Sequence, residues 1–138
     1  MSHSPCDDGP HRRPHMSPTA APFLEFDLGR ELEQLRGEPE WGCGQNAKTI
    51  VKYEDLRIVL IALKTGAKLP VHRTKGRISI HTITGRLLVR AEGRTFDLPA
   101  GGLIALDHDL PHDVEALEES GCLLTIAWLR EGERQHEC

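Results

Sequence analysis

Residues 99–114, PAGGLIALDHDLPHDV, read as a turn, a short strand, a second turn and the opening of another strand. Pro99 to Gly102 carries turn chemistry, because proline presets φ and glycine accepts conformations that a Cβ forbids. Leu103 to Leu106 is a run of four apolar residues. Asp107 to Pro111 interrupts it, and His112 begins the next run. The same rhythm continues in both directions. Runs rich in β-type residues occupy 49–53, 56–63, 69–72, 78–84, 87–91, 95–98, 103–106, 112–117 and 122–129. Between them lie breaks such as Lys64 to Gly66, Thr74 to Gly76, Gly85, Glu92-Gly93 and Glu118 to Gly121. Short strands at regular spacing, punctuated by Gly, Pro and Asp, indicate an all-β sandwich or barrel. There is no βαβ rhythm and no repeat longer than a hairpin.

Upstream of the strands the pattern changes twice. Residues 1–22 hold five of the nine prolines and almost no large apolar side chains, so a disordered N-terminal arm is expected there. One helix is expected over 27–36. Asp27 is a suitable N-cap, Leu28, Leu32 and Leu35 recur at helical spacing, and Gly37 with Pro39 marks the stop. So short a helix draws its stability from packing, which sets the leucine stripe against the barrel wall. The expected organisation is an arm over 1–22, one β-barrel domain with its N-terminal helix over 23–129, and a flexible tail over 130–138.

Composition narrows the function classes. The chain has 138 residues, 17 Lys and Arg against 21 Asp and Glu, and a net charge of −4. That balance gives no basic face for a nucleic acid. No apolar run approaches the ~20 residues of a membrane span, and no secretory signal is recognisable at the N-terminus. The cysteines Cys6, Cys43, Cys122 and Cys138 form no CxxC pair, which favours reduced thiols and a cytoplasmic protein. There is no GxSxG, P-loop or GxGxxG before a helix. Lys64, Lys68, Arg73, Lys75, Arg77 and Arg86 suggest a basic region near a barrel mouth, solvated by default and able to attract an anion.

Two stretches carry a more specific likeness. GAKLPVH over 66–72, followed by Arg73, Thr74 and a close at Thr84-Gly85, resembles the first motif of the cupin superfamily. The stretch 99–114, with its Pro-x-Gly turn and Pro111-His112 step, resembles the second. The likeness implies a small single-domain cupin, a jelly-roll β-barrel preceded here by one helix. In that family a His-x-His pair, a glutamate and the second-motif histidine hold a divalent transition metal. His72 and His112 match two of the four ligands. Thr74 stands at the second histidine and Ile78 at the glutamate, so the set is incomplete. His81 could substitute only if a bulge reversed the strand parity that turns it outward. His108, on a turn with Asp107 and Asp109, reads as solvated.

The expected pocket comprises His72, Thr74, Ile78, Ile80, Thr82, His112, Val114 and Ala116, an apolar cup with His72 and His112 facing one cavity. Three functions follow. The first is binding of a small-molecule ligand in the barrel. The second is a metal-dependent enzyme of oxygenase or isomerase type using His72 and His112. The third is a structural dimer without ligand. A homodimer is expected because the run 56–63, LRIVLIAL, is apolar on both faces.

Overall fold

The computed structural model describes residues 21–72 and 74–128, with backbone alone for 70–72. The tail expected over 130–138 and nearly all of the expected arm lie outside the described residues.

A helix α1 (Leu28–Arg36) and a 3-10 turn (Pro39–Cys43) precede nine strands. These are β1 (Gln45–Lys52), β2 (Leu56–Leu63), β3 (Lys68–His72), β4 (Arg77–Thr84), β5 (Arg86–Ala91), β6 (Arg94–Pro99), β7 (Leu103–Leu106), β8 (His112–Ala116) and β9 (Ser120–Ala127). They form two antiparallel sheets, one in the order β1-β2-β9-β4-β7 and the other in the order β3-β8-β5-β6. The inner faces enclose one apolar core that includes Ile61, Ile80, Leu87, Val89, Val114 and Ile126. The all-β reading and its strand order hold. Two features were not expected: the 3-10 turn, and a β1 that begins four residues earlier, at Gln45.

The pleat explains the core. On β4, Ile78, Ile80 and Thr82 are buried while Ser79, His81 and Ile83 are only partly so. On β8, His112, Val114 and Ala116 are buried and alternate with Asp113 and Glu115. Period-two alternation fixes which face each residue takes. His81 therefore points away from the barrel interior, as its parity dictates.

The helix packs on the outer face of the five-stranded sheet. The side chain of Asp27 accepts from Arg30 N at 3.2 Å, the N-cap bond expected of it. Leu32 and Leu35 bury against Leu60 and Ala62 of β2, with Trp41, Ile83 and Leu123 alongside. Each such leucine contributes roughly 1.5–3 kcal/mol on burial. Gly121 makes the approach possible, since a Cβ there would lie 2.6 Å from Leu32 Cδ1. Asn46 fastens the other end of α1. Its Nδ2 donates to Leu35 O at 3.0 Å and to Glu38 Oε1 at 2.8 Å, adding a short bond to a helix-end carbonyl that otherwise accepts only from Glu38 N at 3.3 Å.

The second apolar face of β2 is thus covered within the chain, which removes the reason given for a dimer. Strand β1, at the sheet's edge, carries a bulge between Thr49 and Val51 and the lysines Lys48 and Lys52, features that discourage edge pairing. Cys43 is disulfide-bonded, against the expectation of reduced thiols. No helix among the described residues is long and apolar enough to cross a membrane.

Candidate functional site

The interior is arranged in rows that follow strand register. Arg57, Ile126, Ile78 and Leu106 lie side by side across β2, β9, β4 and β7. The next inward row is Val59, Leu124, Ile80 and Ile104. Beyond it, Ile61 pairs with Cys122 and Cys122 with Thr82. From the facing sheet, His112 sits opposite Ala91, and Val114 opposite Val89.

A cavity opens in this interior. Ile61, Leu69, Ile80, Val114 and Leu124 form its apolar wall, with His112 and Cys122 supplying the heteroatoms. Its free space is about 10 Å³, room for a single water. His112 is 3% exposed, and its Nδ1 lies 3.0 Å from Leu110 O. A carbonyl only accepts, so Nδ1 carries the proton. In the neutral ring this makes Nε2 the lone-pair nitrogen. The β3–β8 register sets His72 directly opposite His112. The rest of the His72 expectation, its side chain, lies outside the described residues.

Of the pocket residues read from sequence, Ile80, His112 and Val114 line the cavity. Ile78, Thr82 and Ala116 face the interior but occupy other rows of the core. The Thr82 hydroxyl is used structurally, donating to Leu98 O at 3.1 Å. Thr74 is a correction. It belongs to the loop between β3 and β4, where its hydroxyl donates to Gly76 O at 3.1 Å and its carbonyl accepts from Asp109 N. It does not line the cavity. Ile61, Leu69, Cys122 and Leu124 were not expected there. Parity identifies a face, but only the pairing of β2 with β9 tells which rows surround the void.

Among the described side chains no donor set for a transition metal is complete. Among the described residues no three His, Cys, Asp or Glu side chains come together. Ile78, which the resemblance sets where cupins have a glutamate, is a buried alkyl chain, 4% exposed. Burial pushes the Cys122 thiol up to about 12, so it stays protonated at neutral pH and offers no thiolate. Among the described side chains the cavity offers one imidazole and one protonated thiol, too few and too weak by themselves to hold an ion tightly. His108 is exposed and engaged with Asp107 at 2.9 Å.

The basic region expected at one mouth is dispersed among the described residues, and Arg73 lies outside them. Arg77 and Arg86 flank opposite ends of β4 and pair with Asp107 at 2.8 Å and Asp97 at 2.7 Å. Lys64 lies over the Trp41 ring, and Lys68 stands opposite Glu115. The cation that matters inside is Arg57, which the sequence reading passed over. It shares the inner face of β2 with Val59 and Ile61 and lies over the Trp128 ring at 5.3 Å. Its Nε is buried without a hydrogen-bond partner. A buried donor left this way costs about 1–3 kcal/mol. Arg36 Nε also lacks a well-aligned bond, but Glu119 Oε2 is 3.1 Å away. A charge at an inward position of an otherwise apolar strand was the signal in the sequence.

Comparisons with known proteins bear on the fold. No family model and no curated protein matches the chain. Many solved structures do. A conserved protein of unknown function from Streptococcus pyogenes, SPY1581, is 22% identical with a TM-score of 0.65, covering 78% of this chain and 89% of its own. An RmlC-like cupin from Desulfovibrio desulfuricans is 24% identical with a TM-score of 0.58, covering 82% and 97%. Oxalate decarboxylase from Bacillus subtilis, a protein with Mn(II) centres, is 32% identical over 54% of this chain and 21% of its own, with a TM-score of 0.50. The chain therefore has the cupin-type β-barrel fold of these neighbours. Its structural neighbours include enzymes and proteins of unknown function alike, so the fold sets no activity.

Proposed function

We propose that this domain binds a small molecule in its barrel without a metal ion. The observation that carries the reading is the wall of the cavity: five aliphatic side chains around one buried imidazole and one protonated thiol, with Ile78 where the family has its glutamate. Ligand sites of this kind are mostly apolar with a few placed polar groups. His112 is the polar point, fixed in orientation by Leu110 O. The cavity admits one water as it stands, so the bound molecule must be short or must extend outward past the row of Arg57.

Two measurements test this. Metal analysis of protein purified without an affinity tag should find far less than one equivalent of any transition metal. Ligand-detected NMR against a fragment library should find binders that the cavity-filling variant Ile80→Phe loses. One tightly held metal per chain would favour instead an oxygenase or isomerase type of enzyme. The narrowness of the cavity favours a second reading, a structural domain with no ligand. An absence of binders, together with a higher melting temperature for Ile80→Phe, would establish that reading in place of the first.

A further inference from the structure

We infer that Arg57 is the recognition point for a carboxylate, and that the barrel's ligand is a small organic acid with an apolar body. The inference rests on the barrel-binding reading above and names the ligand's chemical class.

Arg77, Arg86 and Arg90 each hold a carboxylate, at 2.8 Å, 2.7 Å and 2.7 Å, and Arg36 has Glu119. Arg57 has no ion pair among the described residues, although its Nε is buried and a buried cation normally has a partner. Directly across the β1–β2 ladder stands Lys52, also without an ion pair among the described residues. Like charges opposite one another in a ladder destabilise it. Two adjacent cations, one partly buried and one exposed at the rim, lower their mutual cost when an anion joins them.

Geometry then selects the anion. The planar guanidinium offers parallel N–H donors that match the two oxygens of a carboxylate. Trp128, stacked on that guanidinium, adds an apolar face beside the charge. Inward along β2 the next residue on this face is Val59, about 7 Å further on, and its register partner is Leu124, a wall of the cavity. An acid with its carboxylate on Arg57 lays its apolar part along Val59 and Leu124 toward the cavity.

The test uses the full chain with benzoate and its neutral analogue benzamide as probes. Titration calorimetry at low salt should give benzoate an affinity at least ~10-fold above benzamide, the scale of a charge-assisted bond. In the unmodified protein the Arg57 Nε–H NMR signal should shift with benzoate and stay put with benzamide. Arg57→Gln should abolish the preference, and Arg57→Lys should restore only part of it. The NMR arm needs no variant, so a misfolded Arg57→Gln does not spoil the test. Equal binding of acid and amide, an unmoved Nε–H signal, or tighter binding of phenyl phosphate than of benzoate overturns the carboxylate inference while the barrel-binding reading stands. Failure of acid, amide and every library fragment to bind overturns both.

Discussion

The two sheets turn very different outer faces outward. The five-stranded sheet hides Leu60, Ala62, Ile83 and Leu123 beneath α1, so β2 is apolar on both sides. The four-stranded sheet has no helix over it among the described residues and carries a lattice of charge instead. Arg86 pairs with Asp97, and Arg90 bridges Asp113 and Glu115 on β8. Both sheets share one core, yet their outer faces solve different problems. One adds a second layer of hydrophobic burial to a small domain, where stability is marginal. The other keeps a sheet soluble and its edge unattractive to other chains.

The sharpest test of that contrast is removal of the helix. Deletion through Gly37 strips Leu32 and Leu35 from the sheet and exposes Leu60 and Ala62, all 2% exposed or less at present. Thermal melts and solubility assays should show loss of folding or aggregation. A truncated protein that melts like the full chain would mean that the outer layer adds nothing. Leu35→Ala is the graded version, with an expected loss of about 2–5 kcal/mol in chemical denaturation. No single substitution on the charged face should approach that value.

These two faces were unequally legible in the sequence. On β5 and β8 the alternation gives face and environment together, because Arg86, Arg90, Asp113 and Glu115 mark the outward face on either side of Leu88. On β2 the run LRIVLIAL shows only that both faces are buried. It does not say by what, and the helix and a second copy of the chain were equally good covers. The close approach at Gly121 decides it, since Leu32 fills the space that a Cβ would need. The cavity was half legible for a related reason. Ile80, His112 and Val114 followed from parity on their own strands, whereas Cys122 and Leu124 become neighbours of Ile61 only through the long-range pairing of β2 with β9. Thr74 was misplaced because the motif likeness extended strand geometry into a loop.

A smaller effect is expected at the junction of helix and sheet. Asn46 is 6% exposed and holds Leu35 O and Glu38 Oε1. Asn46→Ala removes both amide hydrogen bonds and leaves Leu35 O with only the 3.3 Å bond from Glu38 N, at a cost of about 1–3 kcal/mol. Asn46→Asp should be no better, because it replaces the donating amide with an acceptor beside two acceptors. If Asp were tolerated and Ala were not, side-chain volume rather than hydrogen bonding would be what fastens α1 to β1.

The least effect, and the most distinctive, belongs to the charged face. The Arg86 hydrogen bond holds the Asp97 carboxyl below the usual carboxylate range, and the Arg90 hydrogen bond does the same for Glu115. A carboxyl whose pKa is lower folded than unfolded adds stability above its unfolded pKa, near 4, and loses it as pH falls through the folded value. The pairs are solvent-exposed, so their contribution is small and screened by salt. The double variant Arg86→Gln/Arg90→Gln should therefore melt slightly below the wild type at neutral pH and low salt. That gap should close in acid below the carboxylate range, and it should narrow at about 1 M salt, where the Debye length is ~3 Å. The Leu35→Ala deficit involves no titrating group and should persist across both changes. A gap for the arginine variant that ignores pH and salt would show that the guanidinium stems act by packing against the sheet, and the two outer faces would then differ in degree rather than in kind.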